Sequence, residues 1–200
     1  LGRTEPRLEL QPLALQIRVG ARAVERGAAA AENGFQGALA VRGTPDRPVV
    51  FTSIRDDQAG GDINGGGAST PAVGDWPGLS FPGTVVSSLE HAQIRFADTA
   101  VNANYARSHV LLQSVRIENN RHGVYVYSPY VEVEAANCLI VNNTYEGVFV
   151  RADSREVFRN CTIAGNGFGG GKTAGIHLGG ANLTLENCIV AFNRTGLQHD

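Results

Sequence analysis

Four stretches decide how this chain is read: SVRIENN (114–120), NCLIVNN (137–143), NCTIAGN (160–166) and NCIVAFN (187–193). Aligned on their central apolar residue, they put Ile117, Ile140, Ile163 and Val190 at one repeat position, and HAQIRFA (91–97) adds Ile94 as a weaker copy. The intervals are 23, 23, 23 and 27 residues, and the longest contains the extra segment GFGGGK (167–172). A fixed period of this length marks a repeat architecture. Within each copy apolar and polar residues alternate with period 2, the strand pattern. Three such pieces fit into one period, as in VEVEA (131–135), CLIVN (138–142) and VFV (148–150). Leucine-rich repeats share the period but require recurring Leu positions that are absent here. Three short strands per coil of about 23 residues, with tight turns between them, describe an all-β parallel β-helix.

The alternation also predicts which side chains face inward. Ala92, Val115, Cys138, Cys161 and Cys188 share one position, two residues before each anchor, and a column of such residues belongs inside. In the third strand Val101, Val124, Val148, Ile176 and Leu197 form an inward row, followed by Val126, Val150 and Leu178. Coils stack about 4.8 Å apart, so Tyr125, Phe149 and His177 must lie above one another on the outer face. Asn102 and Gln198 continue that row, and Tyr127 and Arg151 lie beside it. Such a row suits a sugar or the centre of a protein interface; equally, its rings can simply cover one another. Asn120, Asn143, Asn166 and Asn193 each fall three residues after the anchor. There we expect Asn to supply both a left-handed corner and an amide ladder from coil to coil.

Composition narrows the function. The 200 residues hold 17 Lys and Arg against 19 Asp and Glu, a net charge of −2, which does not make a nucleic-acid footprint. With 42% hydrophobic and 18% charged residues the chain is built to fold, and 25 Gly with 8 Pro suit many turns. No apolar run approaches the roughly 20 residues of a transmembrane helix.

Stacked NCxI-type strands closed by an Asn corner resemble the right-handed parallel β-helix proteins of the pectate lyase-like superfamily. Upstream, GTPDRPVVFTSIRDDQAGGDINGGGASTPAVGDWPGLSF (43–81) is similar to a segment that opens many secreted bacterial β-helix repeat proteins. That segment reads GT-x-x-x-PVVFTS, an Asp- and Gly-rich loop, then GDW-x-G-[IL]. The resemblance implies a right-handed solenoid in an extracellular or cell-surface protein, with no single activity attached. We therefore expect one domain over 1–200: initial coils or a cap in 1–54, a polar loop in 55–77 and regular coils in 78–200. ARAVERGAAAAE (21–32) is Ala-rich enough for a capping helix. The absence of a cap after the last coil suggests that further coils or domains follow.

Candidate sites are few. In the loop, Asp57, Asp62 and Asn64 resemble the start of a calcium site, although Gly66 stands where related loops carry a second Asp. The three Cys have no zinc spacing and read as small buried apolar residues. The motifs of polygalacturonase-like hydrolases (NTD, DD, GHG, RIK) are absent, and His122 and Gly123 match only a fragment of one, so His122 reads as a solvated corner residue. Outward positions His109, Glu132, Glu134 and Glu186 suggest a carboxylate–imidazole patch on the first sheet. Sequons stand at Asn142, Asn160, Asn182 and Asn193, of which Asn142 should point inward. The expectation that emerges is a non-catalytic rigid scaffold and interaction module, with Tyr125, Phe149 and His177 as ligand candidates. Its partner would be a polysaccharide or a neighbouring protein chain. The alternative is a carbohydrate-active lyase or hydrolase with its site on an exposed sheet.

Overall fold

The computed structural model describes residues 15–18, 24–25, 38–81, 84–104, 107–151, 154–171 and 173–200. The chain winds into a right-handed parallel β-solenoid of about five turns. Each regular coil contributes one strand to each of three sheets, for example His109–Gln113, Arg116–Glu118 and His122–Val126. The sheets hold seven, seven and six strands. The register reproduces the 23-residue period: Ile117 lies between Ile94 and Ile140, and Ile163 pairs with Val190. The Gly-rich insertion is accommodated between the strands Thr162–Ala164 and Ile176–Gly179, leaving the flanking registers intact.

The interior is a set of stacked columns. Val49, Ala92, Val115, Cys138 and Cys161 are all buried in one of them, with Cys188 packed against its end. Phe51, Ile94, Ile117, Ile140 and Ile163 fill the next. The cysteine thiols hydrogen-bond to backbone carbonyls, as Cys138 does to the carbonyl of Leu112, and remain free. Leu197 keeps its place in the third-sheet column and is 52% exposed, in the last coil described.

The asparagine column works differently from its sequence reading. Asn120, Asn143 and Asn166 are fully buried, and each side-chain Nδ2 donates to the Oδ1 of the next Asn at 3.0, 2.9 and 3.0 Å. That same Oδ1 accepts the backbone N–H of the Asn one coil earlier, and Nδ2 also reaches a neighbouring coil's carbonyl. Left-handed backbone is not their task. It falls on the preceding residues, Asn119 and Asn142 at φ 55°, and on a second corner at Asn137, Asn160 and Asn187. Asn is the cheapest side chain for that region after Gly. Asn142, expected to point inward, is accordingly exposed at its corner.

The first strands depart from parallel stacking. Leu15–Arg18 is a strand, but it pairs antiparallel with Val49–Ser53 and so is not a stacked coil; Val24–Glu25 likewise pairs antiparallel with Leu39–Arg42. The capping helix proposed for 21–32 lies outside the described residues apart from that two-residue strand. In the polar loop, Asp57–Gly60 forms one helical turn.

One inward position carries a charge-bearing group. Glu156 pairs in register with Leu183, in the column that holds Val110 and Val133, and is 1% exposed. Ser154 donates to its Oε2 at 3.1 Å, whereas Oε1 has no partner. Burial pushes its carboxyl up to about 7, against the opposing bond from Ser154, with the nearby Glu132 charge adding to the rise.

Removing one rung should damage the fold out of proportion to its size. Asn143→Ala strands the buried backbone N–H of Asn120 and removes one of the bonds of its Nδ2, so a loss of about 2–4 kcal/mol is expected in urea unfolding. Thr162→Ala, on the outer face, should cost about 0.5 kcal/mol or less. Glu156 predicts a pH signature. Its folded value lies above the unfolded one, so its burial costs little below about pH 4.5 and stability falls as pH rises from there through about 7. Glu156→Gln should therefore match wild type near pH 4 and exceed it by about 2–3 kcal/mol at pH 8. Equal pH profiles for the two proteins would refute this reading.

Candidate functional site

The outward row of the third sheet comes from the strands His122–Val126, Val148–Arg151 and Ile176–Gly179. Val124, Val148 and Ile176 are buried beneath it, which forces Tyr125, Phe149 and His177 to the other face, in register. The ring centroids of Tyr125 and Phe149 are 4.5 Å apart with planes 11° from parallel, and His177 meets Phe149 edge-on at 5.1 Å. Coplanar rings lying flat on the sheet would collide at 4.5 Å, so these rings stand upright, face against face. Solvent meets their edges and the Tyr125 hydroxyl rather than an open aromatic platform. Tyr127, beside the row, has its ring capped by the Arg151 guanidinium at 4.7 Å and its hydroxyl bonded by Arg151 Nη1. Tyr125 keeps its proton more firmly than usual because it is partly buried and faces the Glu146 charge.

A second feature was not legible as a site in the sequence. His122, read as a solvated corner residue, lies with Nδ1 2.8 Å from Glu146 Oε2, and its ring packs on Tyr145 at 5.0 Å. Glu146 is 8% exposed. Burial opposes its ionisation, yet the bond from His122, its own backbone N–H and the charges of His122 and His177 outweigh that, holding its carboxyl below the usual range. His177 Nδ1 stands 3.7 Å from Glu146 Oε1, and its Nε2 lies 2.8 Å from Asp200 Oδ2. Imidazole and carboxylate thus alternate over successive coils: His122, Glu146, His177, Asp200. Their positions depend on Gly147, where a Cβ would lie 2.7 Å from Asn166 Nδ2 and 2.8 Å from the Gly175 carbonyl. The 24-residue step from His122 to Glu146 is the one that also pairs Val124 with Val148 and Tyr125 with Phe149, so the register brings the two positions together and the side-chain geometry makes them a pair.

The first-sheet patch also assembles, with an unexpected member. His109 Nε2 lies 3.1 Å from Glu134 and its Nδ1 4.0 Å from Glu132. Arg159, not anticipated, links Glu134 at 3.8 Å to Glu186 at 2.7 Å. These groups are half exposed, where ion pairs contribute little stability. A shallow groove of about 460 Å³ follows the same sheet between Arg42 and Arg159.

In the polar loop each calcium candidate bonds within the loop. Asp57 accepts from the backbone N–H and hydroxyl of Ser69, Asp62 from Gly67 N–H, and Asn64 from Gly66 N–H. Asp56 and Asp75 anchor the loop to the solenoid: Asp56 through Arg95 at 2.6 Å, and Asp75 through Ser53 Oγ, also at 2.6 Å. Among the described residues no three His, Cys, Asp or Glu gather in a metal-holding group.

Comparison with known proteins gives a family and little more. No curated protein and no solved structure matches the chain. A family profile described as the right-handed β-helix region matches residues 83–200, the span that holds the asparagine ladder and the His122–Glu146 pair. That span exceeds half of the chain, and the protein belongs to the right-handed β-helix family.

Proposed function

We propose that this protein is a rigid scaffold of the secreted or cell-surface kind whose third-sheet face binds carbohydrate. The carrying observation is the row Tyr125 and Phe149, ending on His177, which is only 8% exposed, beside the His122–Glu146 pair. Its hydroxyls, imidazoles and guanidinium are held on strands whose inner faces are locked in the core. That rigidity lowers the ordering cost of binding. Because the rings cover one another, recognition rests on ring edges and polar atoms. Carbohydrate, dense in hydroxyls that both donate and accept, suits such a face better than an apolar partner does.

A second reading is catalytic, and the His122–Glu146 pair favours it. A carboxylate that receives the Nδ1 proton leaves Nε2 as the basic nitrogen, and Nε2 has no protein partner among the described residues. A carbohydrate-active lyase or hydrolase requires such a group near bound sugar.

A glycan array on the wild-type protein identifies the ligand. On that glycan, Tyr125→Ala and Phe149→Ala should each weaken binding by about 1–3 kcal/mol and lower stability by under about 1 kcal/mol. Lost stability with unchanged affinity would mean that the rings serve only one another. Reducing-end or unsaturated-product assays on the bound polysaccharide decide the catalytic reading, with His122→Gln expected to abolish turnover while preserving binding.

A further inference from the structure

At the corner between the third and first sheets, Arg107, Pro129, Tyr130, Val131, Glu132 and Arg155 enclose a pocket of about 380 Å³. The corner lies away from the third-sheet face, and two arginines line it. Arg55, Arg95, Arg116, Arg121 and Arg159 each hold a carboxylate, and Arg151 holds Tyr127. Arg42, Arg47 and Arg194 have no carboxylate partner among the described residues, nor have Arg107 and Arg155, and these last two converge on this one pocket from coils on either side of Tyr130.

The backbone marks the same place. Arg107 sits at φ 66°, in the left-handed region that the coils elsewhere give mostly to Asn, at 119, 137, 142, 160 and 187, and also to His91, Phe96, Ser114 and Phe192. An arginine there costs conformational energy that an asparagine would lessen. Tyr130 is 66% exposed and, with Pro129, supplies the apolar wall. Glu132 is the one acidic group lining the pocket among the described residues, and it leans towards His109 at 4.0 Å. Among the described residues the lining holds two arginines and one carboxylate. A guanidinium presents a planar fork of donors matched to carboxylate, sulfate or phosphate oxygens, and 380 Å³ falls within the range of small-ligand sites.

We propose that this corner is an oxyanion-binding site: Arg107 and Arg155 clamp a carboxylate, sulfate or phosphate group, and the ring that bears it lies against Tyr130 and Pro129. The site is separate from the carbohydrate face and stands or falls without it.

Calorimetric titration of the intact chain with inorganic sulfate, with glucuronate, and with uncharged glucose as control tests the assignment. Saturable binding of either anion, weakened by added sodium chloride and absent for glucose, is the expected result. Arg155→Gln and Arg107→Asn should each weaken it at least tenfold. Arg107→Asn should hold or raise the melting temperature, since Asn suits φ 66°, so its lost binding cannot be ascribed to misfolding. Tyr130→Ala should reduce glucuronate binding more than sulfate binding if the ring contributes. If neither anion gives a saturable signal, or if the Arg107→Asn, Arg155→Gln double variant binds as wild type does, the assignment is overturned.

Discussion

The buried amide of asparagine is the constraint on which the solenoid depends. An amide carries two donor hydrogens and an acceptor oxygen, and enclosing it without partners costs more than a hydrogen bond returns. Here each Asn oxygen takes a backbone N–H and a side-chain N–H from the neighbouring coil, while each amide nitrogen also reaches a carbonyl. The arrangement is satisfied only when successive coils are in register. A one-residue slip would leave every rung unpaired and turn the apolar columns outward. The ladder thus specifies register, and the Ile and Cys columns supply the burial that makes the register stable.

Once register is set, outer faces follow mechanically. Any two side chains at the same repeat position lie one coil apart, close enough for ring stacking or an ion pair. The same rule produces the upright Tyr125–Phe149 stack on the third sheet and the His109–Glu134–Arg159–Glu186 chain on the first. It also limits chemistry. In-register aromatic residues spend their faces on each other, and what they offer to a ligand is edges and hydroxyls. The His122–Glu146 pair obeys the same rule, at the edge of the third sheet. Arg107 and Arg155 meet instead around Tyr130, beside a turn, where groups with different roles converge.

Glu156 shows the cost of breaking the rule from within. It occupies the column that also holds Ser87, Val110, Val133 and Leu183, with one oxygen bonded to Ser154 and the other unpartnered. A cooperative stack tolerates one such group because its neighbours, Val133 and Leu183, keep the strand in place on both sides. The tolerated group then reports pH, since its ionisation is opposed by the interior that surrounds it.

From the chain alone came the solenoid, its period, the inward Cys and Ile columns and the outward Tyr125–Phe149–His177 row, because all follow from residue spacing and strand alternation. Spacing was also enough to find the asparagine column, though not to divide the labour at its corner, where Asn119 and Asn142 take the left-handed turn and Asn120 and Asn143 take the hydrogen bonds. That division depends on dihedral angles, which neighbouring Asn residues can adopt in either order. Spacing also places Glu156 inward, 23 residues after Val133. Tertiary structure alone decided that His122 holds Glu146 and that Arg107 and Arg155 share a pocket. Periodicity brings such residues to neighbouring coils, but which way their side chains turn is set by packing and hydrogen bonding that it does not encode.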